Sequence, residues 1–365
     1  MKVAVLGAGN GAHAIAGDLA LRGHEVRLWE NPSFSENIEH MINNDHCIEL
    51  TGVISGKAKL SVVSVDPAKV VCGADIIYCV MPSFGQESAF EFIVPFIEKG
   101  QKIVIMPGNF GSISLYTKLK KRGIACDVLI GESDTIPYAT RLMPDKSSFV
   151  FGLKECMWIS AIPGNRTQEL IDGITDAFPI SLNPLPDVIS VALANTNMIL
   201  HCPTMIMNAG RIESGERFRF YNDGMTVSVC KVMEAMDAER LVVGKAWGYD
   251  LVSEYEDAIS NYNLDRSKYN NLYEIFVNHP VYGNHGVDSP TSMSFRYLSE
   301  DVPFLLRPLS EMASLVSIPV PTIDSVIQLA QVINSSDYKK NGRGMAVLGL
   351  KDLSCREIKK IVLGS

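Results

Sequence analysis

The chain has 365 residues and a formal net charge of −8, from 33 basic and 41 acidic side chains. At roughly 150 residues per domain there is room for about two domains, and 47% hydrophobic against 20% charged residues excludes a disordered chain, a coiled coil or a collagen-like repeat. Residues 1–186 carry 16 basic and 20 acidic groups and the remainder 17 and 21, so each half is −4 and neither offers the dense cationic footprint that nucleic acid requires.

In chain order, Lys2 to Leu6 alternates and is β-branched at Val3 and Val5, which predicts a strand. Its apolar run is short and ends in glycines, without the h-region of a secretory signal. The turn Gly7-Ala8-Gly9-Asn10-Gly11-Ala12 follows, then a helical stripe at Ile15, Leu19 and Leu21 that should stop at Gly23. His24 to Trp29 predicts a second strand. This is a mononucleotide-binding unit with the GxGxxA form of the dinucleotide turn. Gly7 permits the tight turn, and Gly9 lets backbone approach a pyrophosphate at the helix N-terminus, with Asn10, Gly11 and Ala12 completing it. Glu30 ends the second strand, where an acid holds a ribose 2′-hydroxyl and would repel a 2′-phosphate. NAD(H) is therefore favoured, with NADP(H) left open because Arg27 is close in sequence.

Further strands are expected at Asp75 to Val80, Gln101 to Met106 and Asp127 to Ile130, with a helix over about Gln86 to Glu98. Strands alternating with helices imply a doubly wound parallel sheet, with ligands outside the strand carboxyl ends. The ends Met81-Pro82-Ser83, Pro107-Gly108-Asn109 and Gly131-Glu132-Ser133 should then line the cofactor cleft. Residues 48–65 read as inserted extended segments, and 150–162 as two antiparallel additions.

After the Pro/Asn-rich stretch at 182–186 the pattern turns helical, for instance over Val227 to Lys245, Asp301 to Val316 and Pro321 to Asn334. The expected organisation is a Rossmann-type domain, 1–186, and an all-helical domain, 187–365. Residues 188–210 contain no charged side chain and are long enough to span a bilayer. Asn195, Thr196, Asn197, His201, Pro203 and Asn208 argue against that and for a buried helix. Eight scattered cysteines with no CxxC pattern fit free thiols in a reducing cytoplasm.

Within this helical half, Asn197 stands one turn before His201 on the same face, and Pro203 should break or kink the helix just beyond. That setting singles out His201 as a catalytic imidazole. His279 and His285 sit in a Gly/Asn/Pro-rich loop and read as loop packing. No acidic or cysteine cluster completes a metal site around them. In Phe295-Arg296-Tyr297-Leu298-Ser299-Glu300-Asp301-Val302-Pro303, Arg296 has the fork to clamp a carboxylate. Asp301 could cap the next helix or orient His201; spacing leaves both open.

Taken together, GAGNGAHA (7–14), GESDTIPYATR (131–141), NMILHCP (197–203), FRYLSEDVP (295–303), PVPTIDSVIQLA (319–330) and GRGMAVLGL (342–350) resemble the NAD(P)-dependent opine dehydrogenases. The resemblance covers essentially the whole chain. It implies a Rossmann domain followed by an all-helical domain with substrate bound between them. The implied reaction is reversible reductive condensation of an amino acid with a 2-oxo acid, such as pyruvate. Carried over by motif, His201 is the acid/base and Asp301 its orienting partner. Arg296 looks like the carboxylate anchor, and Asn197 and Glu132 look like site-lining substrate contacts; should the amino acid be cationic, Glu132 could pair with its side chain. The alternative is a two-domain reductase of the glycerol-3-phosphate dehydrogenase or ketopantoate reductase type. Those families use a lysine acid early in the helical domain, where this chain has no lysine between Lys154 and Lys231. The oligomeric state is left open, a homodimer included.

Overall fold

A computed structural model describes residues 1–122, 128–261, 264–279 and 287–364. Strand β1 (Lys2–Leu6) is buried from Val3 to Leu6, as a strand covered on both faces must be. It leads into α1 (Asn10–Leu21), β2 (Glu25–Trp29), α2 (Glu36–Asn43), β3 (Cys47–Gly52), β4 (Gly56–Lys59), β5 (Val62–Ser64) and α3 (Pro67–Val71). Then come β6 (Ile76–Cys79), α4 (Ser83–Ile93), β7 (Lys102–Ile105), α5 (Gly111–Lys121), β8 (Leu129–Ser133), β9 (Tyr138–Leu142) and β10 (Ser148–Leu153). The elements β11 (Cys156–Ile162), α6 (Thr167–Ile174) and β12 (Ser181–Pro184) complete this part.

The main sheet has the order β12-β11-β8-β7-β6-β1-β2-β5. Its neighbours pair in parallel except β8 with β11. From β1 the chain winds outward through β2 to β5, then crosses to β6 and winds the other way. The order therefore reverses between β1 and β6, which is where an open sheet of this kind parts to admit a ligand. Gly7 leaves β1 with φ +103°, and a Cβ there would lie 2.6 Å from the carbonyl oxygen of Val80, just past β6. Only glycine lets these two strand ends close together.

The inserted extended segments divide between two sheets. β5 extends the main sheet in parallel with β2. β3 and β4 join β9 and β10 in a second sheet, ordered β4-β3-β10-β9, that packs against α1. The last of the expected strands begins in residues 123–127, which lie outside the described ones. β8 itself continues through Gly131 and Glu132, because antiparallel pairing with β11 places Glu132 opposite Ser160. That segment is strand rather than a loop at a strand end. α4 likewise starts at Ser83, directly after Pro82 and earlier than its apolar periodicity suggests.

Two compact units divide the chain: Met1–Ala192 together with Ile358–Ser365, and Leu193–Glu357. The division falls inside α7 (Val188–Ala194), beyond the boundary expected after Pro186, and the end of the chain belongs with the first unit. The second unit contains α8 (Asn197–Met207), α9 (Ala209–Glu213), α10 (Val227–Ala246), α11 (Glu254–Asn261), α12 (Leu272–Val277) and α13 (Arg296–Ser299). After a π-helical turn at Val302–Leu306 come α14 (Arg307–Leu315), α15 (Pro321–Ile333) and α16 (Tyr338–Asn341); α17 (Cys355–Leu363) straddles the division.

The uncharged stretch is not one span but α7, α8 and the start of α9. Among the described residues no helix is long and apolar enough to cross a membrane. α8 is buried from Met198 to Met205, so it is a core helix that is apolar on nearly every side. It also runs through Pro203 to Met207, where the sequence suggested a stop. A proline forfeits one backbone hydrogen bond, and the packing of a fully buried helix outweighs that loss here.

Candidate active site

In the first unit the glycine turn joins β1 to α1. Ala12 is fully buried against the sheet, as the third small position requires. At Gly9 a Cβ would meet nothing within 4 Å, so the backbone faces open space where a pyrophosphate needs to approach. The side chain of Asn10 accepts a hydrogen bond from the Leu142 amide (2.9 Å), which ties the head of α1 to β9. A Cβ at Gly11 would lie 2.9 Å from Cδ1 of Ile136, so the turn is held tightly on that side.

Glu30 is buried at the end of β2, and its carboxylate accepts from the amides of Ala8 (3.0 Å) and Asn31 (2.8 Å) and from Nδ2 of Asn37 (3.2 Å). One carboxylate offers about four acceptor positions, so Glu30 braces the turn and keeps capacity for a ribose hydroxyl. The strand-end segments are laced together: Asn109 Nδ2 donates to Ser83 Oγ (2.9 Å) and Gln86 Nε2 to the Pro107 carbonyl (3.0 Å). Turn, helix N-terminus and acid thus fit a dinucleotide on observations of this structure.

Glu132 lies within β8. It is fully buried, and its oxygens accept from the amides of Phe110 (3.0 Å) and Ser112 (2.9 Å) and from the Ser112 hydroxyl (2.5 Å). These are donors at the head of α5, so the carboxylate caps that helix. Bracing this helix start is a duty that the motif of Glu132 did not indicate.

In the second unit the residues singled out near His201 converge. His201 and Asp301, a hundred positions apart in sequence, are both buried, with Nδ1 of the imidazole 2.7 Å from Oδ2 of the carboxylate. Asp301 makes no side-chain cap to the following turn, so of its two candidate partners it takes the histidine. A carboxylate can only accept, so Nδ1 carries the proton and Nε2 is the basic nitrogen. The ring lies flat on Tyr297, with centroids 3.8 Å apart and planes at 17°. On its other nitrogen, Nε2 is 3.0 Å from the hydroxyl of Tyr221.

Tyr221 carries no mark of a site in the sequence, because its proximity to His201 arises from the fold of the segment between α9 and α10. Tyr297 stood within a quoted motif without a role. The half-exposed Arg296 opens α13 and pairs with the buried Glu300, one turn on, at 2.9 Å. Asn197 opens α8, and its side-chain amide makes no hydrogen bond among the described residues. His279 is buried, and burial holds its imidazole down at about 4, which keeps it neutral. His285 lies outside the described residues. No group of three or more metal-ligating side chains occurs among the described residues.

Residues 184–334 match the family model of the NAD/NADP octopine/nopaline dehydrogenase alpha-helical domain, and residues 2–110 that of the NAD-dependent glycerol-3-phosphate dehydrogenase N-terminus. An opine dehydrogenase of Arthrobacter sp. (strain 1C) is 30% identical over 359 residues, covering 98% of both chains. The chain belongs to the opine dehydrogenase family. Its first domain is of a type shared with the glycerol-3-phosphate dehydrogenases, and the helical domain is what separates it from them. Among solved structures, an octopine dehydrogenase with NADH and L-arginine superposes with a TM-score of 0.81 at 21% identity, covering 100% of this chain and 98% of that one. A yersinopine dehydrogenase with NADP+ superposes at 0.75 and 14% identity, with the same coverage. The fold is thus a Rossmann-type domain followed by a helical one, and the chain is an NAD(P)-dependent oxidoreductase acting on CH–NH bonds.

Proposed function

We propose that this chain reductively condenses an amino acid with a small 2-oxo acid such as pyruvate, with His201 as acid/base, Asp301 as its orienting partner and NADH as the preferred cofactor. The observation that carries this reading is the buried His201–Asp301 pair at 2.7 Å. Asp301 fixes the tautomer and stabilises the imidazolium formed when Nε2 takes a proton. A proton is needed when the amine and the 2-oxo acid lose water, and again when nitrogen becomes a secondary amine. Arg296 anchors a substrate carboxylate: its fork has five donors, and pairing with Glu300 uses part of them. The unengaged amide of Asn197 supplies a further polar contact.

Gly7, Gly9, Asn10, Gly11, Ala12 and Glu30 hold the dinucleotide. When bound, its nicotinamide supplies the hydride. Glu30 favours NADH because a 2′-phosphate would be pressed against a buried carboxylate. Related enzymes have been solved with either NADH or NADP+, so the preference belongs to each chain rather than to the fold. The seven described cysteines are free, which suits a reducing compartment and the cytoplasm.

A panel of amino acids offered with several 2-oxo acids tests the reading through loss of NADH absorbance. Oxidation should require both partners. Oxidation that is equally fast without any amine would make this chain a simple 2-oxo acid reductase. NADPH used in preference to NADH would overturn the Glu30 argument.

A further inference from the structure

We propose that Tyr221 is a catalytic residue, the proton relay through which His201 reaches the substrate; the proposal rests on the assignment of His201 as the acid/base. Both imidazole nitrogens are taken by protein groups: Nδ1 by Asp301 at 2.7 Å and Nε2 by the Tyr221 hydroxyl at 3.0 Å. The ring is not free to swing its Nε2 elsewhere. It is stacked on Tyr297 at 3.8 Å, and turning it would break the buried bond to Asp301.

The proton on Nε2 therefore leaves by way of the atom that Nε2 faces. A phenol hydroxyl is suited to that place because it both donates and accepts. While His201 is neutral, Tyr221 donates to its Nε2. Once His201 is cationic, Nε2–H donates to the Tyr221 oxygen. Delivery is then a double shift: the Tyr221 hydroxyl proton passes to the substrate oxygen or nitrogen as the Nε2 proton passes to the Tyr221 oxygen. Tyr221 ends as the neutral phenol, His201 as the neutral imidazole, and the substrate gains one proton. In the reverse direction the same two bonds shift back.

The phenol is itself held in place. Its ring stacks on Phe276 (centroids 6.3 Å, planes at 26°) and meets Phe220 edge-on at 5.3 Å. Tyr221 and His201 are each 7% exposed, so the pair works out of bulk water, where an unguided proton would exchange with solvent.

The test compares Tyr221→Phe with His201→Ala, each in the full-length enzyme. Tyr221→Phe should lower kcat by about 10²-fold or more, within the usual range for acid–base assistance. Binding of NADH, followed by its fluorescence, should change by less than about twofold for a residue outside the cofactor turn. In the cofactor-free protein the nitrogen NMR signal of His201 Nε2 should move when the phenol is lost. A Tyr221→Phe enzyme with wild-type kcat and an unmoved Nε2 signal would overturn the relay while leaving His201 in place. Retained turnover in His201→Ala would remove both assignments at once. If Tyr221→Phe melts early, 3,5-difluorotyrosine at position 221 keeps shape and hydroxyl but makes the phenol more acidic. The relay predicts that the alkaline limb of kcat moves to lower pH; an unchanged profile rejects it.

Discussion

At the residue scale, Glu30 is an acid at the end of the second strand, the position of a ribose contact in a dinucleotide-binding unit. Its bond to the Ala8 amide at 3.0 Å adds a second duty, bracing the turn. Glu30→Gln keeps the size and removes the charge, so the NADH KM should rise about tenfold, the worth of one charge-assisted hydrogen bond. The NADPH KM should stay level or fall. Steady-state KM values for both cofactors decide this, and an unchanged ratio would take Glu30 out of cofactor choice. Glu132 shows the limit of such positional signals. Its motif gives no sign of the α5 amides from which its carboxylate accepts.

At the scale of elements, helix ends decide several of the differences between expectation and structure. α5 starts with its orphan amides turned to Glu132 rather than to water. Glu132→Ala should cost about 2–3 kcal/mol in urea denaturation by leaving those donors buried and unpaired. Turnover by the surviving native enzyme should show an amino-acid KM within about twofold of wild type. A large rise in that KM with unchanged stability would make substrate contact, as its motif implies, the main role of Glu132. The turn after Asp301 is a second case. Periodicity suggested one helix from Asp301 to Val316, whereas Val302–Leu306 forms a wider π-helical turn before α14. Pro303 within that turn and Pro308 just beyond it each lack an amide donor, so the regular ladder is interrupted at both places.

At the scale of the whole molecule, buried titratable groups limit the pH range of stability from both sides. His13, on α1 directly behind the glycine turn, is fully buried, and desolvation with the neighbouring His40 lowers its pKa to about 4. Nδ1 donates to the Gly9 carbonyl (3.0 Å), and Nε2 accepts from His40 Nε2 (3.2 Å). The unfolded chain takes up this proton near 6.5, before the folded protein does. Stability is therefore present above about 6.5 and is lost as pH falls towards about 4. At pH 5 the loss from His13 alone is about 2 kcal/mol. His13→Gln, which never charges, should show a smaller drop in melting temperature between pH 7 and pH 5 than the wild type. Equal drops would mean that His13 does not carry this dependence. Glu254 acts in the opposite sense. Burial, and then the nearby Asp257, raise its pKa well above the usual carboxylate range. It contributes most while protonated, and that contribution declines as pH rises past the ordinary carboxyl value.

The alternation of strands and helices, the glycine turn with its acid and the helical character of the second half were determined by the sequence alone. Each follows from local periodicity, backbone geometry or residue type, which short stretches of chain carry in full. Tertiary structure alone decided that Asp301 meets His201 rather than capping its helix, that Glu132 faces inward, and that Tyr221 stands on Nε2. It also decided that α8 continues through Pro203. These depend on contacts between residues up to a hundred positions apart, or on packing energy summed over many neighbours, and neither quantity is written in the spacing of one segment.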